Sequence, residues 1–441
     1  MRDIAVLLIL LGSMAAAFRA PWLGVLALAV FSYLNPHTYA WGFIASTPVY
    51  LMLFLAVLAA FLFNGKDRQP LPKDWRVPAF FLLWFDFFLT TTVADVPPAA
   101  WPKLIEVSKI YLPMIFTLWL INTRQKLFYL IITIAGSIGL VAAKGGVWAI
   151  AHGFSERVYG PPTTQFAGNN EFAIATLMIV PLIILWLRET ADKRLRYALM
   201  ASVPLCYAAA LSSFSRGALL TMAVLTTLLL WHSKRKWLAV PILAVGAVLA
   251  LQALPDKWFG RMSTIETYEE DTSAQGRLEA WRDGIRYALQ HPIAASGFNG
   301  WKWVTKRDWH SAYVESLAEH GFPGFILWMS LLYGSMLSLT RLPKKTRHIP
   351  ELKWVENYAY MLRASLAAYA TGSLFLGITY WDLLYHVIFI SVLVKQFALR
   401  ELAEYEARQD TVTDSSKPLQ SPAPAFDQYR NNGITATGGP R

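Results

Sequence analysis

Cysteine and charge are what this chain has least of. One cysteine among 441 residues excludes a disulfide framework, a Cys-based zinc site and an iron–sulfur cluster. Charged residues make up 16%, against about 25% in a typical soluble domain, so most of the surface cannot face water. The even apolar–polar alternation of a membrane β-barrel is missing as well. No internal repeat is visible.

What is present is apolar. Hydrophobic residues reach 55% and the mean hydropathy is +0.37. Eighteen Trp, 19 Tyr and 25 Phe suit a lipid–water boundary. Apolar runs fall near 4–18, 22–34, 45–63, 77–93, 105–121, 127–151, 171–188, 196–212, 217–232, 237–254, 322–341, 356–376 and 383–398. Several approach the ~20 residues that cross a bilayer as a helix. The first two are short and are interrupted by Arg19-Ala-Pro21, so they form either a shallow hairpin or one kinked element. The expected fold is an all-α polytopic membrane protein with 12 or 13 transmembrane helices. Ten of these lie within residues 1–254; then come a large loop domain at 255–321, the C-terminal transmembrane helices at 322–400 and a disordered tail at 401–441.

Forty Lys and Arg against 29 Asp and Glu give a net charge of +11. The basic residues sit in short clusters between apolar runs, a pattern of membrane orientation rather than nucleic-acid binding. Lys66, Arg68, Lys73 and Arg76 share one connection with the side that later receives Arg124 and Lys126. The same side takes Arg188 to Arg196, Lys234 to Lys236, and Arg341 to Lys353. Poorly basic connections at 35–44, 94–104, 152–170 and 213–216 alternate with them. The basic side, with the C-terminus, is therefore expected to be cytoplasmic. The large loop falls on the other side, with 8 basic and 10 acidic residues and five tryptophans. Thr272-Ser-Ala-Gln275 fits a capping box. Leu278, Trp281, Ile285 and Leu289 then make an apolar stripe closed by His291-Pro292. The loop is expected to fold and pack on the bundle.

Chemistry has few places to sit. His310 precedes a second helical stretch that stops at Gly321-Phe-Pro-Gly324. A helix N-terminus favours neutral imidazole, the form that accepts a proton. The plainer reading, favoured by position alone, is an interfacial residue beside Trp309 and Tyr313. Arg216 follows Ser212-Ser-Phe-Ser215 on the poorly basic side, where it needs a partner such as phosphate or carboxylate; a snorkelling contact with lipid headgroups serves equally. Arg277 and Arg282 flank the apolar stripe symmetrically, and for either one a solvated helix face is the default. Lys144 is the most deeply placed cation, with Asp86 as its expected structural partner. Glu269-Glu-Asp271 either holds a divalent cation or is a loop before a helix, and Cys206 packs in mid-span. Arg157 and Tyr159 in Glu156-Arg-Val-Tyr-Gly-Pro-Pro162, with Asn169 and Asn170, either line a sugar cleft or form ordinary turns. Lys144 and Tyr313 join them as cleft candidates.

In order and spacing, Ser215-Arg216-Gly-Ala, Gly276-Arg277-Leu-Glu-Ala-Trp281 and His310-Ser-Ala-Tyr313 … Glu319-His-Gly321 resemble the O-antigen ligase superfamily of membrane glycosyltransferases. Asn35-Pro-His37, Tyr159-Gly-Pro-Pro162, Asn169-Asn-Glu171 and the segment from Arg261 to Glu270 look like its exosortase-associated O-glycosylation subgroup. The likeness covers residues 1 to about 400. It implies a GT-C-like bundle in the bacterial inner membrane, an active site facing the periplasm, and no metal or cofactor. It implies His310 as the base for the acceptor hydroxyl, and Arg216 and Arg277 as the cations that hold the donor diphosphate. The donor is then an undecaprenyl-diphosphate-linked glycan, the acceptor lipid A-core or Ser/Thr of an exported protein, and the remaining partners are membrane lipids. Ser311 stands where the wider superfamily often has Asn.

The residues suit that chemistry. A diphosphate leaving group carries its own charge and needs cations rather than a proton, whereas an alcohol nucleophile needs a base. The outer loop 35–44 has no Asp or Glu to hold a metal. One displacement inverts the anomeric centre. The competing expectations are an O-antigen polymerase, a transporter or flippase of lipid-linked glycan with Lys144 and Asp86 near the midplane, and a membrane protease, for which Cys206 lacks a neighbouring base.

Overall fold

Lipid offers no water to satisfy backbone N–H and C=O groups, so an apolar segment closes its own hydrogen bonds as a helix. The computed structural model describes residues 1–65, 68–233, 236–263 and 272–415, with no strand among them. Each apolar run falls on a helix or a pair of helices. The N-terminal half holds α1 (Arg2–Arg19), α2 (Pro21–Tyr33), α3 (Phe43–Ser46), α4 (Val49–Phe63), α5 (Arg76–Thr92) and α6 (Pro97–Leu120). Then follow α7 (Arg124–Ala151), α8 (Asn169–Glu189), α9 (Lys193–Leu211), α10 (Arg216–Trp231) and α11 (Lys236–Ala253). Segment 255–321 contains α12 (Asp256–Ser263), α13 (Thr272–Gln290), α14 (Trp301–Val304) and the start of α15 (Ala312–Thr346). The last described helices are α16 (Lys353–Gly372) and α17 (Asp382–Ser415).

The molecule is an all-α polytopic membrane protein. Among the described residues, four helices are long and apolar enough to cross a bilayer: α7, α8, α15 and the stretch Asp382–Asp410 of α17. Among the shorter apolar helices, α2 has 13 residues and at ~1.5 Å each rises only about 20 Å, against a hydrocarbon core of ~30 Å. Extended backbone at Ala20 makes α1 and α2 two helices rather than one kinked element, and both pack on α4. Inside the bundle, α8 touches α7, α9, α10 and α16. The helix starts are chemical: Thr123, Asp192 and Ser215 cap α7, α9 and α10 by accepting backbone N–H groups.

Two expectations are corrected. Residues 401–415, expected in the disordered tail, continue α17 as a helix. Arg400 and Glu404 approach to 4.0 Å on successive turns, the charge pattern of a solvated helix. In α13 the helix begins and ends where the capping signal and His291-Pro292 put it, but it packs on a different face. Leu278, Ile285 and Leu289 are exposed, whereas Gly276, Ala280, Gly284 and Ala288 are buried. A β-carbon on Gly284 would stand 2.6 Å from the Trp309 ring and 3.0 Å from Val314. Small residues win the contact because they let α13 come close to Trp309 and α15; the periodicity of large apolar residues cannot show this.

A buried clasp ties α15 to α17. The Arg76 side chain is wholly inaccessible and pairs with Asp74 at 2.7 Å. It also donates to Ser391 Oγ at 2.8 Å and reaches Ser335 Oγ at 3.5 Å. Lys395 closes on the other Asp74 oxygen at 2.8 Å. Burial pushes the Asp74 carboxyl up, but the Arg76 and Lys395 cations overcome it and hold it below the usual carboxylate range. A depressed folded pKa stabilises above the unfolded value of about 4 and is lost as pH falls through the folded one, so the clasp is intact at neutral pH.

Candidate active site

Arg216 is the first residue of α10, whose N-cap Ser215 accepts the Ala218 N–H. The turn before it is tight: Phe214 takes φ 58°, a conformation that costs free energy for a bulky side chain. Neighbours hold it in place. Ser212 Oγ donates to Glu156 O at 2.5 Å, and Asn169 Nδ2 donates to Ser213 O at 2.7 Å. The Arg157 guanidinium lies 5.8 Å from the Phe214 ring centre, and Asn170 adjoins Asn169 at 3.3 Å. Three of the cleft candidates, Arg157, Asn169 and Asn170, therefore gather at the Arg216 turn. Arg216 is half-buried and Arg157 exposed, so two cations meet the positive end of a helix dipole, an arrangement that attracts anions.

His310 stands on a second strained turn. Its own φ is 46°, its backbone N–H donates to Asp308 Oδ1 at 2.9 Å, and its side chain is exposed. α15 starts two residues later. The first N–H of that helix, on Ala312, donates to Ser373 O at 2.9 Å, and Thr379 Oγ1 donates to Ala312 O at 3.0 Å. The same connection between α16 and α17 touches α10: a β-carbon on Gly217 would lie 3.2 Å from Phe375. Residues 373–379 thus brace the Arg216 and His310 turns together.

Arg277 comes from α13. It is half-buried where Arg282 is exposed, so the fold separates two residues that the helical wheel left equivalent. Trp281 Nε1 donates to Trp309 O at 2.7 Å, which fixes α13 one residue from His310. Arg307, paired with Glu279 at 2.7 Å, covers Gly276 beside Arg277. Trp281, Trp301, Val304, Trp309, Val314 and Ala318 make a small core under this corner.

Below His310 runs a polar network that the sequence did not reveal. Buried Trp309 donates through Nε1 to Glu319 Oε1 at 3.1 Å, and Tyr380 OH donates to Glu319 Oε2 at 2.6 Å. Tyr380 has spent its one proton, so His320 Nε2–H donates to it at 2.8 Å. That leaves His320 Nδ1 to accept from Thr90 Oγ1 at 2.7 Å. Glu319 and His320 stood in the resemblance without a role, and nothing in sequence links them to residues 90 and 380. Glu319→Gln puts an NH2 group where two donors already converge. The expected cost is about 1–3 kcal/mol, seen as a lowered midpoint of thermal unfolding in detergent, with reduced transfer at temperatures where the variant remains folded. An unchanged midpoint excludes this role.

Other expectations fare differently. Lys144 does not pair with Asp86: Lys144 is exposed on α7, while Asp86 on α5 lies against Gly324 and His320 of α15. Asp86 is half-buried against α15, Lys144 is exposed on α7, and no ion pair joins them. Tyr159 is exposed. Tyr313 turns to the bundle, bonding Ala370 O at 3.0 Å and Tyr333 OH at 2.8 Å. Cys206 is buried. Among the described residues no three His, Cys, Asp or Glu side chains gather as metal ligands. Glu269–Asp271 lie outside the described residues, as does most of the segment from Arg261 to Glu270.

The all-helical membrane bundle presents Arg216 and His310 at strained turns and Arg277 from α13, and sequence comparison finds a family for this stretch of the chain. Residues 200–329 match the family described as O-antigen ligase. The matched stretch contains Arg216, Arg277 and His310. Residues 1–192 match a family of unknown function. Neither match reaches down to the exosortase-associated subgroup. No curated protein matches the chain.

Proposed function

We propose that the protein is a glycan ligase that moves a lipid-diphosphate-linked glycan, with undecaprenyl as the lipid, to an acceptor hydroxyl on lipid A-core or on Ser/Thr of an exported protein. The site faces the periplasm from the inner membrane, and the C-terminus is cytoplasmic. His310 takes the acceptor proton as the hydroxyl oxygen bonds to the anomeric carbon. The bond from that carbon to the diphosphate oxygen breaks, and undecaprenyl diphosphate leaves as an anion between Arg216 and Arg277. Attack opposite the leaving group inverts the anomeric centre. Two guanidinium groups replace a divalent metal because each offers a planar fork to a diphosphate.

The observation that carries this reading is the 373–379 connection, which braces a cationic helix start and an exposed histidine as one unit. It supports acid–base and electrostatic roles on a shared substrate. The test is transfer in proteoliposomes with a defined lipid-linked oligosaccharide, separate lipid A-core, peptide and lipid-linked glycan acceptors, and a chelator. Expected are transfer to lipid A-core or peptide, release of undecaprenyl diphosphate, an inverted linkage by NMR and full activity with chelator. Transfer only to the lipid-linked glycan makes the protein a polymerase; no transfer to any acceptor overturns the reading. Loss of activity with chelator removes the metal-free mechanism.

A further inference from the structure

A second site lies at the other end of α15. A cavity of about 240 Å3 is lined by Trp75, Leu337, Arg341, Lys345, Lys395 and Leu399, with Gly334 at its wall. From Gly321 to Arg341 the helix rises about 30 Å at ~1.5 Å per residue, a whole hydrocarbon thickness. Its construction is amphiphilic. Leu337, Trp75 and Leu399 are exposed apolar groups at one part of the wall, and three cations stand at the other. Arg341 and Lys345 are one turn apart on α15, and no carboxylate pairs with either among the described residues. Asp74 is the only carboxylate in the adjoining clasp, and it is taken up by Arg76 and Lys395. Together the groove and clasp carry four cations against one anion.

The groove is also preformed. The Arg76–Asp74–Lys395 clasp fixes α15, α17 and the residues before α5 around it. Gly334 makes room for Trp75: a β-carbon there would sit 2.5 Å from the indole ring. At 240 Å3 it is below the roughly 300–1,000 Å3 of sites that enclose a whole drug-sized ligand, so it admits a headgroup rather than a glycan. Basic pockets between membrane helices beside apolar wall suit lipid phosphates.

We propose that this groove binds the phosphate headgroup of an anionic phospholipid, with the acyl chains along Leu337 and Leu399. The test uses full-length protein in neutral detergent, stripped of lipid and titrated with phosphatidylglycerol or phosphatidylcholine under native mass spectrometry. Phosphatidylglycerol adducts are expected at lower concentration. The Arg341→Gln/Lys345→Gln double variant should weaken them about thirtyfold, two charges at roughly 1 kcal/mol each, and leave phosphatidylcholine adducts unchanged. Gly334→Ala crowds the Trp75 ring without altering charge and should weaken phosphatidylglycerol as well. Thermal midpoints establish that each variant is folded. Equal uptake of both lipids by wild type, or unchanged phosphatidylglycerol affinity in the folded double variant, overturns the proposal. So does stabilisation of wild type by inorganic phosphate alone without lipid preference, which assigns the cations to a free anion.

Discussion

Changing His310 to alanine is expected to lower the turnover of glycan transfer by about 10²–10⁴-fold, the range that a positioned general base contributes. The donor KM should change little, because the imidazole acts on the acceptor proton and does not hold the diphosphate. The measurement is initial rate against donor concentration in proteoliposomes, with expression and thermal midpoint matched to wild type. The exposed side chain makes this a clean substitution: His310 contributes no burial that alanine would lose, and it is the backbone N–H that donates to Asp308 Oδ1. Full activity in His310→Ala removes the base assignment.

Arg216→Ala is the second large effect. Loss of one donor aimed at developing negative charge costs about 10²–10³ in turnover, and here it also removes a cation from a helix N-terminus. Arg216→Lys should recover only part of the rate, since an ammonium cannot present a bidentate fork. The diagnostic is the split between constants. If Arg216 binds the diphosphate alike in ground and transition states, KM for the donor rises and turnover stays; if it acts on the departing charge, turnover falls. We expect the second pattern. Equal kinetics in wild type and Arg216→Ala would place the residue outside the site.

Much of this was readable in the chain, and the reasons differ by residue. Helices follow from apolar runs because lipid allows a spanning chain few other structures. The ends of α13 follow from Thr272 and His291-Pro292, since caps and prolines act locally. Its buried face did not follow, because Gly276, Ala280, Gly284 and Ala288 leave no hydrophobic signal, only room for Trp309. Arg216 and His310 were singled out by position, but their sharing of residues 373–379 is a contact across more than 150 residues of chain for Arg216, beyond any local pattern. The Glu319–Tyr380–His320–Thr90 network was invisible for the same reason. The proposed Lys144–Asp86 pair failed because depth along a span says nothing about which side of a helix a residue occupies.

One last consequence belongs to the break inside α15. Gly321 has φ 65° and ψ −167°, a conformation strained for any residue with a β-carbon, and the chain bends there between the stretch after His310 and the apolar length that follows. Stretches of different thickness along a bilayer force spanning helices to lean by different amounts. A rigid rod would carry that lean straight to the histidine. The bend at Gly321 does not remove that coupling, because Tyr313 on the short arm meets Tyr333 OH at 2.8 Å and packs edge-on against Trp328 of the long arm at 5.1 Å, so a lean of the long arm reaches the turn that carries His310.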